Sequence, residues 1–265
     1  MSTVDTNEIV TRLRAAGCVF AEDEARLLTE ATDSAEELDR LVAQRVEGVP
    51  LEYLLGWVEF RGIRVGVQAG VFVPRQRTAF LVDEAAALAR AEGRDEFVVV
   101  DLCCGSGALG LALVTELANE VARIELDAAD IEPVAVACAR ENLTSVGGRA
   151  HEGDLFAALP SRLRGRIDIL LCNTPYVPSG EIARMPPEAR DHEPATALDG
   201  GEDGLDIFRR VAAEATEWLA PGGHLLVEIS EEQATTATSI ATEAGLTPAI
   251  AHSPDLYATA IICTR

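Results

Sequence analysis

The chain predicts an α/β fold: a doubly wound, mostly parallel seven-stranded sheet that ends in a C-terminal antiparallel hairpin, preceded by a small helical cap. Three observations predict it. Beyond Glu96, short apolar runs alternate with helix-patterned segments, as they must when each crossover helix returns the chain to a parallel strand. The last two apolar runs, "PAIAH" and "ATAIICT", are separated only by "SPDLY". That spacer is too short for a crossover helix, so these two strands pair antiparallel. Before all of this, residues 1–46 carry helical rather than strand periodicity.

The elements follow in order. Ile9, Val10 and Leu13 share one helical face, and Gly17 closes that helix. Ser34 and Glu37 form a capping-box pattern ahead of Leu38, Leu41 and Val42. From Trp57 to Val67 the period drops to two around Arg61-Gly62, the signature of a hairpin. A helix over 78–90 comes next. Strands are then expected at "FVVVD", "RIELDAAD", "RAHEGD", "IDILLC" and "HLLVEI", with helices near 107–119, 132–142, 204–219 and 231–244. The division expected is a cap at 1–46 suited to substrate recognition, a hairpin linker at 47–77 and a ligand-binding α/β domain at 78–265.

Bulk composition narrows the function. With 48% hydrophobic residues the chain can build a substantial core. No apolar run approaches the roughly 20 residues of a membrane span, and "MSTVDTNEIV" lacks the basic and apolar character of a secretion signal. A soluble, cytoplasmic protein is expected. The formal net charge of −22 opposes a direct nucleic-acid interface, which needs clustered cations. The six cysteines show no CxxC pair and no metal spacing with the histidines, so neither a disulfide framework nor a metal site is expected.

The chemistry gathers at the carboxyl ends of the strands, where open α/β sheets bind their ligands. The first strand runs into "DLCCGSGALG", in which Gly105 and Gly107 read as a G-x-G turn admitting a ligand close to the backbone. Asp101 ahead of that turn disfavours a pyrophosphate and suits an ammonium group. The second strand ends in Asp130, placed to take both hydroxyls of a ribose, and the third in Asp154, able to accept from an adenine amino group. Each acid alone is an ordinary cap or turn residue. Three on one edge of the sheet describe a pocket for a ligand with an amine, a ribose and an adenine, which is S-adenosylmethionine.

The fourth strand, "IDILLC", is apolar enough to be buried on both faces, and it ends in "NTPY". Asn173 there carries a donor and an acceptor, and Pro175 stiffens the exit. This ending resembles the N-P-P-Y motif of amino-group methyltransferases. With "GVPLEYLLGWVEFRG", "VFVPRQRT" and "EPATALDGGEDGLDIFRRV", the chain resembles the protein-(glutamine N5) methyltransferases of the HemK/PrmC type over about residues 48–245. The resemblance implies the class I S-adenosylmethionine-dependent methyltransferase fold and a protein substrate, a release factor or ribosomal protein, exposing a glutamine. It implies that Cys103, Cys104, Gly105, Ser106 and Gly107 surround the methionine part of the cofactor, that Asp130 falls on the ribose and Asp154 with Leu155 near the adenine, and that Asp101, Ile131 and Asn173 also belong to the cofactor site. Asn173 and the backbone carbonyl of Thr174 would accept the two hydrogens of the target amide, with Tyr176 packed beside it.

Four departures from that pattern stand out. Cys103 replaces a usual Gly, Thr174 a usual Pro, "PRQRT" the usual P-R-P-E-T, and the cap is short. They point to a divergent branch. They leave open an N-methyltransferase of a small molecule or modified peptide, a nucleic-acid adenine methyltransferase, and a catalytically idle protein that binds cofactor and acts through partner contact. Cys104 reads as a small wall residue.

Overall fold

The computed structural model of the chain describes residues 6–265. The first five residues of the expected cap lie outside the described residues. Three helices follow, α1 (Thr6–Ala15), α2 (Ala21–Glu30) and α3 (Ala35–Val46), packed around Ile9, Leu13, Leu28, Leu38, Leu41 and Val42. Only half of the expected capping box forms. Ser34 Oγ accepts from the Glu37 amide, while the Glu37 carboxylate turns outward to Arg40. A short helix, α4 (Leu51–Leu55), lays Leu51, Leu54 and Leu55 against the same apolar cluster, so the segment expected to be a linker begins as part of the cap packing.

The hairpin comprises β1 (Trp57–Phe60) and β2 (Ile63–Gly66), paired antiparallel. Its two-residue turn holds Arg61 and Gly62 at φ of 50° and 76°, the mirror-image turn that matches strand twist. Helix α5 (Ala79–Glu92) then leads into the large sheet: β3 (Glu96–Leu102), α6 (Ala108–Leu117), β4 (Arg123–Asp130), α7 (Pro133–Leu143), β5 (Arg149–Glu152) and β6 (Ile167–Cys172). After a long connection containing α8 (Pro187–His192) come α9 (Asp206–Trp218), β7 (Leu219–Ile229), α10 (Ala234–Glu243), β8 (Thr247–Ser253) and β9 (Ala258–Thr264). Strand β7 begins five residues before the expected "HLLVEI", and its register with β6 is irregular at that start.

The sheet order is β5-β4-β3-β6-β7-β9-β8, seven strands in all. Strands β3 to β7 are mutually parallel, and β9 runs antiparallel to both β7 and β8, as the five-residue spacer requires. All six residues of β6 are buried. Alternate side chains of the central strands feed two cores. Val99, Ile169, Leu171 and Leu226 face helices α5, α6 and α7, while Val100, Leu102, Leu170, Cys172 and Val227 face α9 and α10. The chain leaves β3 toward β4 on one side and returns as β6 on the other. That reversal opens a crevice at the carboxyl ends of β3 and β6, where Leu102 is in register with Cys172.

The connection over 174–203 carries local structure of its own. It contains a 3₁₀ segment at Ser179–Arg184, α8, a 3₁₀ turn at Ala195–Ala197 and a bridge between Val177 and Asp199. Buried Glu193 clamps it to the segment before α5, accepting from the Val73 amide at 3.2 Å and from Arg75 at 2.6 Å. Prolines at 175, 178, 186, 187 and 194 restrict the chain between these anchors. No helix among the described residues is long and apolar enough to cross a membrane.

Candidate active site

The crevice opens into a cleft of about 590 Å³. Its walls come from the β3–α6 turn, the ends of β4 and β5, the NTPY exit of β6, the segment from Phe72 to Thr78 and the loop from Pro194 to Gly201. Of the residues expected to bind cofactor, Cys103, Cys104, Gly105, Ser106, Asp130, Ile131, Asp154, Leu155 and Asn173 line this cleft, as do Thr174, Pro175 and Tyr176.

Asp101 and Gly107 stand behind the wall instead. Asp101 is 1% exposed, and its Oδ2 accepts from the Gly110 amide at 2.9 Å in the first turn of α6. Burial pushes its carboxyl up to about 7, against the pull of that amide. Its service is to the turn, a role its position ahead of the glycines did not disclose. Gly107, at φ 76°, caps α6, and a Cβ there would press on Ala139 and Leu143 of α7 at 3.3 Å. Gly110 extends the G-x-G to a full G-x-G-x-x-G, which the reading of the turn as a bare G-x-G missed. A Cβ on Gly110 would come within 2.9 Å of Leu126, so this glycine serves helix–sheet packing.

Cys103 adopts φ 56°, a left-handed conformation that costs a residue with a Cβ about 1 kcal/mol or more. The backbone thus keeps the shape a glycine would give it, and the strain is absorbed. Cys104 is buried, and burial pushes its thiol well above the ordinary range, so it is an inert wall residue.

Asp130 ends β4 with both oxygens engaged: Oδ2 accepts from the Gly105 amide at 2.8 Å and Oδ1 from the Glu132 amide at 2.9 Å. Burial raises its carboxyl, and the amides of Glu132 and Gly105 oppose the rise. Each oxygen keeps a lone pair for a further donor. Asp154 is half exposed and pairs with Arg210 of α9 at 2.6 Å, which fixes its direction at the far wall. Ile131 stands 55% exposed beside Asp130, an apolar surface left open by the described residues.

Asn173 leaves β6 level with Cys103, and its Oδ1 is buried without a hydrogen-bond partner among the described residues. Thr174 is 3% exposed. The Tyr176 carbonyl accepts from Gln233 Nε2 at 2.9 Å, and that same group reaches the Asp203 carbonyl, so Gln233 staples the β6 exit to the chain before α9. The Tyr176 hydroxyl donates to Glu228 at 2.7 Å and accepts from Arg77 at 2.5 Å. Gln233, Glu228, Arg77, Thr78 and Glu193 were not foreseen as site residues. Two of them left signals in the sequence: Glu228 is an acid within the apolar run "HLLVEI", and Gln233 closes an S-x-x-Q capping box with Ser230.

The orphaned polar atoms decide what fits. Ser106 Oγ, Thr78 Oγ1 and Asn173 Oδ1 are buried, unpartnered among the described residues, and belong to residues lining the cleft. Buried polar groups left this way are costly unless a ligand or water completes them. Hydroxyls at one end, a carboxylate with free lone pairs at the middle and an exposed isoleucine beside it fit the amino acid, ribose and base of S-adenosylmethionine.

Comparison with known proteins agrees. Residues 64–186 match the family "Methyltransferase small domain". The release factor glutamine methyltransferase of Streptomyces coelicolor is 38% identical over 216 residues, covering 82% of this chain and 75% of that protein. The ribosomal protein uL3 glutamine methyltransferase of Bordetella pertussis is 37% identical, covering 79% of this chain and 68% of that one. Among solved structures, the T. thermophilus 16S rRNA N2 methyltransferase in complex with AdoMet and guanosine shares the fold. It superposes with a TM-score of 0.55 at 18% identity, over 79% of this chain and 49% of that one. At such identity over most of both sequences, the chain belongs to the HemK/PrmC-type family of S-adenosyl-L-methionine-dependent protein glutamine methyltransferases.

Proposed function

We propose that this protein methylates the side-chain amide nitrogen of a glutamine in a translation protein, either a release factor or a ribosomal protein. The observation that carries the reading is the buried, unpartnered Oδ1 of Asn173 at the switch point of the sheet. A glutamine amide presents two N–H groups, and Asn173 Oδ1 with the Thr174 carbonyl would supply two acceptors for them.

Bound S-adenosyl-L-methionine supplies an electrophilic methyl group on a sulfonium. Asp130 would hold the ribose, Asp154, Leu155 and Ile131 the base side, and Ser106 with the turn amides the amino acid end. The work left to the protein is positioning. An amide nitrogen is a poor nucleophile because its lone pair is delocalised into the carbonyl. Two acceptors on its hydrogens fix the nitrogen in line and favour charge building up on it. The curated relatives named for release factors and for uL3 support both acceptor classes, and the acidity of the chain favours a protein over a nucleic acid.

The test is incubation with methyl-labelled cofactor and purified release factor, ribosomal proteins or total RNA. Label on a glutamine, located by peptide fragmentation, is the expected result. Label on RNA, or on a small molecule and no protein, overturns it.

A further inference from the structure

Tyr176, the last residue of the NTPY exit, is held from behind. Its hydroxyl donates to Glu228 Oε1 at 2.7 Å and accepts from Arg77 Nη2 at 2.5 Å. Arg77 Nε donates to the same carboxylate oxygen at 3.0 Å, and its guanidinium lies 5.8 Å from the Tyr176 ring centre. These three residues come from the segment before α5, from the β6 exit and from β7, so the cluster ties together three walls of the site. The Glu228 side chain is 5% exposed, and its Oε2 is buried with no partner among the described residues. A buried carboxylate costs stability except so far as hydrogen bonds and a counter-charge offset it, and among the described residues that offset for Glu228 comes from Tyr176 and Arg77 alone. Arg77 and Tyr176 line the cleft, whereas Glu228 does not.

We propose, on the glutamine-methylation reading above, that Glu228 and Arg77 are positioning residues that lock the Tyr176 ring as the wall beside the acceptor amide. The tyrosine hydroxyl is occupied by this tether and takes no proton from the acceptor. Its contribution to turnover is the placement of the ring, and Glu228 acts only through it. Position 77 is also one of the two, with 76, at which this chain departs from the P-R-P-E-T pattern. With a cation there, the carboxylate of Glu228 has a counter-charge on the cleft side.

A double-mutant cycle over Glu228→Gln and Tyr176→Phe tests this, using a purified release factor as acceptor. Each single change is expected to lower kcat about tenfold with cofactor affinity unchanged, and the double change to cost no more than either. Additive losses overturn the proposal, because Glu228 would then act independently of the ring. A second measurement needs no turnover. In protein labelled with 3-fluorotyrosine, the Tyr176 signal, assigned by its loss in Tyr176→Phe, should ionise at higher pH than free 3-fluorotyrosine, and Glu228→Gln should narrow the gap. Titration of Tyr176 with the free amino acid in the parent protein means that the tether does not exist. If no acceptor is methylated while the fluorine titration behaves as expected, the glutamine reading has failed and the tether stands.

Discussion

The carboxamide of Asn142 and the main chain of Gly66 exchange two hydrogen bonds, each 2.9 Å long: Oδ1 accepts from the Gly66 amide and Nδ2 donates to the Gly66 carbonyl. One side chain on α7 thereby substitutes for a strand neighbour at the edge of β2. The same Nδ2 also donates to the Ser106 carbonyl at 2.8 Å. The hairpin is thus fastened to the turn that walls the cofactor end of the cleft. A Cβ on residue 66 would come within 2.9 Å of Asn142 Oδ1, so a larger residue there would have to displace the carboxamide.

Replacing Asn142 by Leu should therefore loosen hairpin and turn together. The Gly66 amide and the Ser106 carbonyl lose this partner in a partly buried place, while the Gly66 carbonyl keeps only the weaker Cys138 thiol, at a cost of about 1–3 kcal/mol. Denaturant unfolding and cofactor titration are both expected to show the loss. Unchanged cofactor affinity in a destabilised protein would separate the hairpin from the cleft.

Asp130→Ala should weaken cofactor binding by roughly 10- to 150-fold, the cost of a carboxylate that accepts from two hydroxyls. Because Asp130 also receives the Gly105 and Glu132 amides, Ala additionally frees the turn. Asp130→Asn retains one acceptor oxygen and should fall between Ala and the parent in a calorimetric titration. Equal affinity across all three would place the ribose elsewhere.

Asn173→Ala should lose turnover and keep the cofactor. Its Oδ1 is buried without a partner among the described residues, and if it holds the acceptor amide as proposed, removing one positioned polar group of this kind costs about 10²–10³-fold in kcat. Steady-state rates alongside cofactor affinity decide this. Parent-like turnover removes Asn173 from the mechanism.

Asp101 makes stability depend on pH. Its carboxyl lies near 7 in the folded protein, raised by burial from an ordinary value of 3.8. The folded state holds the proton more tightly than the unfolded state. The stabilising contribution is therefore fully present below about pH 4 and is lost as pH rises through about 7, with an upper bound of about 4 kcal/mol. Asp101→Asn keeps an acceptor for the Gly110 amide and has nothing to titrate. Unfolding free energies measured from pH 5 to 8 should fall more steeply for the parent than for this variant.

Glu193→Ala should release the connection between β6 and α9. Burial raises the Glu193 carboxyl while Arg75 and the Val73 amide hold it back, and all of these contacts vanish in the variant. Hydrogen exchange over 177–200 is expected to speed up. In the parent protein, cofactor together with acceptor should slow it if the segment closes over the target. Equal exchange in free and loaded parent protein would make the segment a fixed wall.

Much of this was legible because it is local. A five-residue spacer dictates the antiparallel end of the sheet, and acids at strand termini declare themselves once the strands are found. Asn173 and Asp130 reach the cleft for that reason. The parts that escaped depend on packing between distant segments. Arg77 meets Glu228 across 151 residues, and Glu193 meets the Val73 amide across 120, distances over which no periodicity carries information. Asp101 failed as a cleft residue for a subtler reason: strand position gives an acid's height in the sheet and leaves its face undetermined.

Arg45 gives the cap a dependence on timing. Buried in α3, it pairs with Glu24 at 2.6 Å inside the cap and reaches across 143 residues to Glu188 of α8 at 3.0 Å. A ribosome adds roughly 5–20 residues per second, so about 7–30 s pass between the two partners' emergence. During that interval Arg45 has Glu24 but not its second carboxylate, and the surface that will meet α8 stays open to solvent. The cap can gather its own apolar cluster early, yet its seating against α8 must wait until the chain beyond β6 has been made.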